Sequence, residues 1–296
     1  MKKTHEISRL VDYCLEDIKE INFREYLMET AIEIRPGRFL TLNIFKNSSS
    51  QFTTFFIHGL GGRADQWREQ IKVLRDQHTL IIPHILGHGS SQKPKPILSN
   101  PYSFYELDQD LAALFNQYRG KKNIILGHSY GGVLATSLAK NYQNEINKLV
   151  LFNPAPCQPR QKTPFVYQFP VFLLEMLKPF LNQLFLKKAF DKNAFSKLLQ
   201  KESSAGMNNK MYVIKAMIEG MKTIKSMDLS KITIPTLIVM GETDGIFSKE
   251  TIKGCYHYLP HHQFKIIKNT AHLTMLEKPK EVNQLLVRFL EDSVTI

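Results

Sequence analysis

Residues 123–139 read NIILGHSYGGVLATSLA. The aliphatic run Ile124-Ile125-Leu126 stops at a glycine, as a buried strand does, and the small and aliphatic residues from Val133 to Ala139 read as a helix packed close to it. Between them, residues 127–131 have the form G-x-S-x-G. Glycines at 127 and 131 let the chain turn from strand to helix where a Cβ would crowd the neighbouring backbone. Such a turn lifts the Ser129 hydroxyl out of the sheet, and a hydroxyl becomes a useful nucleophile only when it is exposed beside a base. The five-residue pattern is short. Its weight against a plain glycine-rich connection with a buried serine comes from the strand before it and the helix after it.

The same rhythm extends in both directions. Short apolar runs at 53–57, 80–83, 123–126, 148–152, 236–240 and 264–267 read as strands of a parallel sheet buried on both faces. Helical stretches near 65–75, 105–118, 132–142, 249–258 and 279–290 fall between or after them, which gives an α/β, doubly wound, mostly parallel sheet. Upstream, 30–34 and 39–45 alternate apolar and polar residues around Pro36-Gly37, so an antiparallel hairpin opens the sheet. Residues 1–28 carry Leu10, Val11, Cys14, Ile18 and Ile21 at helical spacing and read as an amphipathic N-terminal extension.

One long segment interrupts the alternation. Residues 154–234 are rich in leucine and aromatic side chains and mainly helical in pattern, and they separate two core portions, 29–153 and 235–296. An insertion at this point lies over the carboxyl ends of the strands, where ligands bind in such sheets, and so reads as a cap or lid. Its stripe Phe172, Leu173, Met176, Leu177, Phe180 and Leu184 reads first as packing between cap and core, with lipid contact as the alternative.

Three further loops supply partners for Ser129. After the strand at 53–57 comes His58-Gly59-Leu60-Gly61-Gly62, a loop able to present a backbone N–H to developing negative charge; Leu60 is the first choice and Gly61 the next. The second donor is the N–H of Tyr130, the residue after the serine. Among the histidines, His272 follows the last strand in the loop before the final helix, which puts it at the same end of the sheet. His128 adjoins the serine, and His257, His261 and His262 precede the last strand and belong at its other end. The acid is expected after the strand at 236–240, in Gly241-Glu242-Thr243-Asp244-Gly245: Asp244 first, Glu242 in reserve. His58, Gly59, His128, Phe169, Phe172 and Phe247 are the expected lining of the substrate pocket.

With these segments in hand, the chain resembles the capped α/β-hydrolases of the esterase, lipase and C–C hydrolase group, over about residues 29–292. The match runs in order through HGLGG with Trp67 downstream, PHILGHGSSQKP (83–94), GHSYGG, LVLFNPAP (149–156), PTLIVMGETDGIF (235–247) and AHLTMLEKPKEV (271–282). The resemblance implies a Ser129–His272–Asp244 triad and an oxyanion hole from Leu60 and Tyr130. It also implies hydrolysis of carboxylic esters, with apolar acyl or alkyl groups favoured by the aromatic cap, through an acyl-enzyme and with no metal or organic cofactor. A serine rather than a carboxylate at position 129 argues against dehalogenase or epoxide-hydrolase chemistry. Cleavage of C–C bonds or amides on the same scaffold, and a non-catalytic ligand-binding role, stay open as alternatives. Two positions depart from the group: His84 stands where Asp is usual, and Ala271 where Gly is usual.

Composition narrows the partners. With 43% hydrophobic and 22% charged residues the chain can build a large core. The formal charge of +12 comes from scattered lysines, which speaks against nucleic acid and leaves room for peripheral contact with an anionic lipid surface. Three cysteines, Cys14, Cys157 and Cys255, lie far apart with no C-x-x-C pair, which fits a reducing compartment. Acidic residues early in the chain break any secretory signal, and Glu175, Lys178 and Pro179 break the longest apolar run. A cytoplasmic protein acting on a small ester is the expectation, its oligomeric state left open.

Overall fold

In the computed structural model, residues 29–158 and 163–292 are described. The amphipathic helix expected over residues 1–28 lies outside them. Glycine at position 37 has φ of +72°, the left-handed geometry that closes a hairpin, and its N–H donates to the Glu33 carboxylate at 2.7 Å. This turn joins β1 (Glu29–Arg35) to β2 (Arg38–Phe45), which run antiparallel. Strand β2 also lies antiparallel to β4 (Thr79–His84). From there every pairing is parallel, through β3 (Phe52–Ile57), β5 (Lys122–His128), β6 (Ile146–Phe152), β7 (Thr236–Gly241) and β8 (His262–Ile267). The eight strands stand in the order β1-β2-β4-β3-β5-β6-β7-β8.

The inner strands read as unbroken apolar runs because each face meets its own hydrophobic layer. Ile125 of β5 and Ile238 and Met240 of β7 pack into one core with α2 (Phe104–Tyr118) and α3 (Tyr130–Asn141). Their neighbours Ile124, Leu126, Leu237 and Val239 point the other way, into a core with α1 (Arg68–Leu74) and α9 (Pro279–Glu291). Trp67 anchors that second layer, its ring 5.5 Å from Phe56 and 5.7 Å from Phe152. Strand β8 is an edge, alternately exposed and half-buried, and begins at His262, so that histidine opens the strand instead of preceding it.

Between β6 and β7 the chain forms α4 (Val171–Ala189), α5 (Ser196–Met207) and α6 (Met211–Gly220), with α4 packed on both of the others. Helix α7 (Lys249–Tyr256) lies between β7 and β8, and the short α8 (Thr274–Glu277) follows β8 just ahead of α9. The sequence pattern does not reveal α8; a four-residue helix is too short to show periodicity.

Candidate active site

Ser129 joins β5 to α3 with φ 54° and ψ −123°, a conformation costing a non-glycine residue on the order of 1–3 kcal/mol. The surroundings hold it there. Its N–H donates to the Phe152 carbonyl at 3.1 Å, and its own carbonyl accepts from Gly132 and Ala155, each at 2.9 Å. Position 131 admits no side chain: a Cβ would sit 2.3 Å from the carbonyl oxygens of Ile57 and His58.

The loop after β3 presses against this turn, since a Cβ on Gly59 would come within 2.8 Å of the Ser129 Cβ. Within the loop, the N–H of Gly61 donates to His88 Nε2 at 2.8 Å and that of Gly62 to the Gly59 carbonyl at 3.0 Å. Gly61 is thereby occupied, while among the described residues no hydrogen bond takes the N–H of Leu60. Tyr130 opens α3, where the first N–H groups have no acceptor within the helix.

His272 follows β8 and is buried, held by its N–H to the Ala189 carbonyl at 2.9 Å. Its Nδ1 lies 2.8 Å from Asp244 Oδ2. Asp244 follows β7; its Oδ1 accepts from the Ile246 and Phe247 N–H groups at 2.8 and 3.1 Å, and its Oδ2 also accepts from Asn153 Nδ2 at 2.9 Å. Burial works against the Asp244 charge, but hydrogen bonds from His272, Asn153 and Ile246 outweigh it and hold the carboxyl below its ordinary range. The reserve acid, Glu242, is exposed and receives the Asn269 N–H at 3.1 Å, away from His272's ring contacts.

Asn153 escaped the sequence reading. At the end of β6, with φ +42°, it donates to Asp244 and to the Ala271 carbonyl (3.0 Å), and its Oδ1 accepts from Thr274. It thus ties three loops together. The segment LVLFNPAP enters only through the resemblance, because nothing in the local spacing points an asparagine at a residue 91 positions away.

Ser129 and His272 line one cavity of about 290 Å³ that lies between the strand ends and α4 to α6. Gly59, Leu60, His128, Tyr130 and Phe247 line it too, with Leu181, Asn182 and Phe185 from α4 and Ile214 and Ile218 from α6. Three expected lining residues stand elsewhere. His58 is fully buried beneath the loop, Nδ1 donating to Gly59 O at 2.8 Å and Nε2 accepting from Ile85 at 3.0 Å. Phe169 packs on Phe165, and Phe172 faces out from α4. Neither lines the cavity, and an aromatic count cannot distinguish inner from outer face.

Burial keeps His58, His88 and His128 neutral around the site. Burial first, then the neighbouring His88 ring, pushes His58 well down. Burial takes His88 to about 4 and, with the nearby His272, His128 to about 3. His128 donates from Nε2 to the His272 carbonyl at 2.9 Å, so it braces the His272 loop. His84 is accommodated by an acid brought from the hairpin: its Nε2 meets Glu29 Oε1 at 3.2 Å and its Nδ1 accepts from Ala64 N–H at 3.3 Å. Ala271 fits because its N–H reaches Glu277 at 2.8 Å and the strand beneath it carries Gly241, where a Cβ would fall 1.9 Å from the Ala271 oxygen.

The mouth of the cavity is tied to the segment above it. Arg63 donates to both oxygens of buried Glu202 on α5, each at 3.0 Å, and Asn209 donates to the Gly61 carbonyl at 3.0 Å. Among the described residues no group of three or more His, Cys, Asp or Glu side chains converges on a metal position, and no helix is long and apolar enough to cross a membrane.

A doubly wound sheet with its polar groups gathered at the carboxyl ends of the strands defines the α/β class that binds ligands there. Within that class, the chain belongs to the alpha/beta hydrolase fold family, whose sequence pattern matches residues 55–279. It is 32% identical to Protein ABHD8 of Mus musculus over 252 residues, covering 83% of this chain and 56% of that relative, so it spans little more than half of the relative's length. It is 28% identical over 217 residues to the pimeloyl-[acyl-carrier protein] methyl ester esterase of Wigglesworthia glossinidia brevipalpis, covering 67% of this chain and 77% of that one. The solved esterase EaEST of Exiguobacterium antarcticum shares the fold with TM-score 0.78 at 18% identity, over 90% of this chain and all (100%) of that one.

Proposed function

We propose that this chain is a serine hydrolase that cleaves carboxylic esters with apolar acyl or alkyl groups through an acyl-enzyme on Ser129. The observation that carries the reading is the 2.8 Å pairing of His272 Nδ1 with Asp244 at the rim of the cavity that also holds the Ser129 turn. With Nδ1 bound to the carboxylate, His272 keeps Nε2 unprotonated as the base. It takes the Ser129 proton as Oγ attacks the ester carbonyl, and the N–H groups of Leu60 and Tyr130 receive the charge on the carbonyl oxygen. The imidazolium returns its proton to the departing alkoxide. A water, deprotonated in turn by His272, then attacks the acyl-serine; the acid leaves and Ser129 recovers its proton.

An ester fits better than a free-amine substrate. Glu202, the carboxylate in the cavity wall, is already engaged by Arg63 and lies 3.6 Å from Arg68, so it offers no charge to an incoming ammonium. The mainly aliphatic and aromatic lining and the modest volume support short to medium apolar groups. The free thiols Cys157 and Cys255 support action in a reducing compartment such as the cytoplasm.

A fluorophosphonate probe tests the reading. Wild type is expected to label and Ser129→Ala not to; an unlabelled wild type, or undiminished labelling of the variant, overturns the nucleophile. Turnover of aryl esters of graded acyl length against aminoacyl amides then tests the substrate class, and preference for the amides would overturn the ester assignment.

A further inference from the structure

Helix α4 breaks the usual rule for a surface helix, which turns a polar face to water. One of its faces, with Lys178, Leu181, Asn182 and Phe185, borders the cavity. The opposite face carries Phe172, Met176, Phe180 and Leu184 at four-residue spacing, and these are 69, 72, 58 and 41% exposed. The stripe is therefore largely open among the described residues and runs for about 18 Å along the helix. Ile97 and Leu98, both exposed, line a hollow with Val171 at the start of α4 and extend the apolar surface there. Soluble proteins seldom leave so long an apolar surface open without a partner.

The charge around it points to the partner. From 163 to 209 the acidic residues are Glu175, Asp191 and Glu202. The last two are buried, and Glu175 is paired with Lys178. The lysines at the far end of the stripe, Lys187 and Lys188, and Lys192 and Lys197 beyond them are exposed, with no ion pair among the described residues. Apolar side chains flanked by exposed lysines are the combination that inserts at the headgroup level of an anionic bilayer, where rings enter the acyl boundary and ammonium groups meet phosphate.

We propose that the outer face of α4 docks on an anionic lipid surface, with Phe172, Met176, Phe180 and Leu184 inserted and Lys187 and Lys188 on the headgroups. The chain then approaches the lipid by the same helix whose inner face walls the cavity. This docking is independent of the chemistry at Ser129.

Vesicle flotation of the full chain tests it, using phosphatidylcholine alone and phosphatidylcholine mixed with equal phosphatidylglycerol, at low and high salt. The wild type is expected to float with the mixed vesicles and to be released by salt. Met176→Glu/Phe180→Glu should bind about a hundredfold more weakly, and Lys187→Glu/Lys188→Glu should lose a similar factor on the mixed vesicles only. Unchanged circular dichroism and urea midpoints establish that both variants are folded. No flotation of wild type with the mixed vesicles, or flotation undiminished in Met176→Glu/Phe180→Glu, overturns the proposal. A wild-type dimer that this variant dissociates, with no vesicle binding, overturns it in favour of a second copy of the chain.

Discussion

Asp244 gives every acceptor site to the fold: two backbone N–H groups on Oδ1, His272 and Asn153 on Oδ2. A carboxylate so held orients the imidazole and stabilises it when charged. On the proposed mechanism Asp244→Asn removes that orientation and should lower kcat about a thousandfold or more. Glu242→Gln, altering an exposed side chain that among the described residues accepts only the Asn269 N–H, should stay within about twofold. Steady-state hydrolysis of an aryl ester by the two variants checks both, and a comparable loss in Glu242→Gln would move the acid to that residue. The same scale shows what spacing conceals. Asp244 and Glu242 are two positions apart in one turn, and only the hydrogen bonds distinguish the one that meets the histidine from the one that closes the loop.

At the scale of elements, the join between α5 and the loop after β3 rests on one buried carboxylate. Glu202 is reached by Arg63 through two hydrogen bonds and approached by Arg68 at 3.6 Å, while Lys201 lies 3.4 Å from Asp65. Neutralising Glu202 removes the carboxylate that both guanidinium groups share and leaves Arg63 with Asp65 and Arg68 with Glu69. Glu202→Gln weakens two charge-assisted hydrogen bonds and should lose about 1–2 kcal/mol in urea unfolding. The change should also loosen the hold on Arg63, which follows Gly62 in the Leu60 loop. A variant as stable as wild type would show that the join carries no weight. Helix α4 makes the complementary point: the aromatic richness of 154–234 was plain from composition, yet which rings turn inward was decided by how α4 lies on α5 and α6. Phe185 borders the cavity, whereas Phe172 does not.

For the molecule as a whole, buried neutral histidines set the response to acid. Burial lowers His78 and His88 to about 4 and, together with His272, His128 to about 3. An unfolded chain protonates each near pH 6.5, so below that pH it binds more protons than the folded chain, and stability falls as pH drops. Full stability is present above pH 6.5. At about 1.4 kcal/mol per pH unit for each group, three histidines cost about 6 kcal/mol by pH 5, a sum comparable with the whole stability of a domain. Burial raises Asp108, Asp110 and Glu277, which favours their protonated forms in the folded chain and offsets part of the fall. Asp244, held low, adds a loss only below the ordinary carboxyl range. Thermal melts from pH 8 to 4 should thus show a flat midpoint down to about 6.5 and a steep decline below it; a midpoint unchanged at pH 5 would contradict the burial of these rings.

Periodicity and loop chemistry determine a great deal of this protein by themselves. Strand runs, the opening hairpin and the G-x-S-x-G turn are local properties, written in apolar spacing and in glycines that no other residue can replace, so the sheet was legible along with which loops lie at its carboxyl ends. What only the tertiary structure decided are relations between residues far apart in the chain. Asn153 reaches Asp244, Glu29 answers His84, and Gly61 gives its N–H to His88, while no described residue takes the N–H of Leu60. None of these pairs shares a strand or a helical turn, so no local pattern records it. The physical reason is that a hydrogen bond needs two groups within about 3 Å, a distance that spacing along one element reports and that spacing between elements does not.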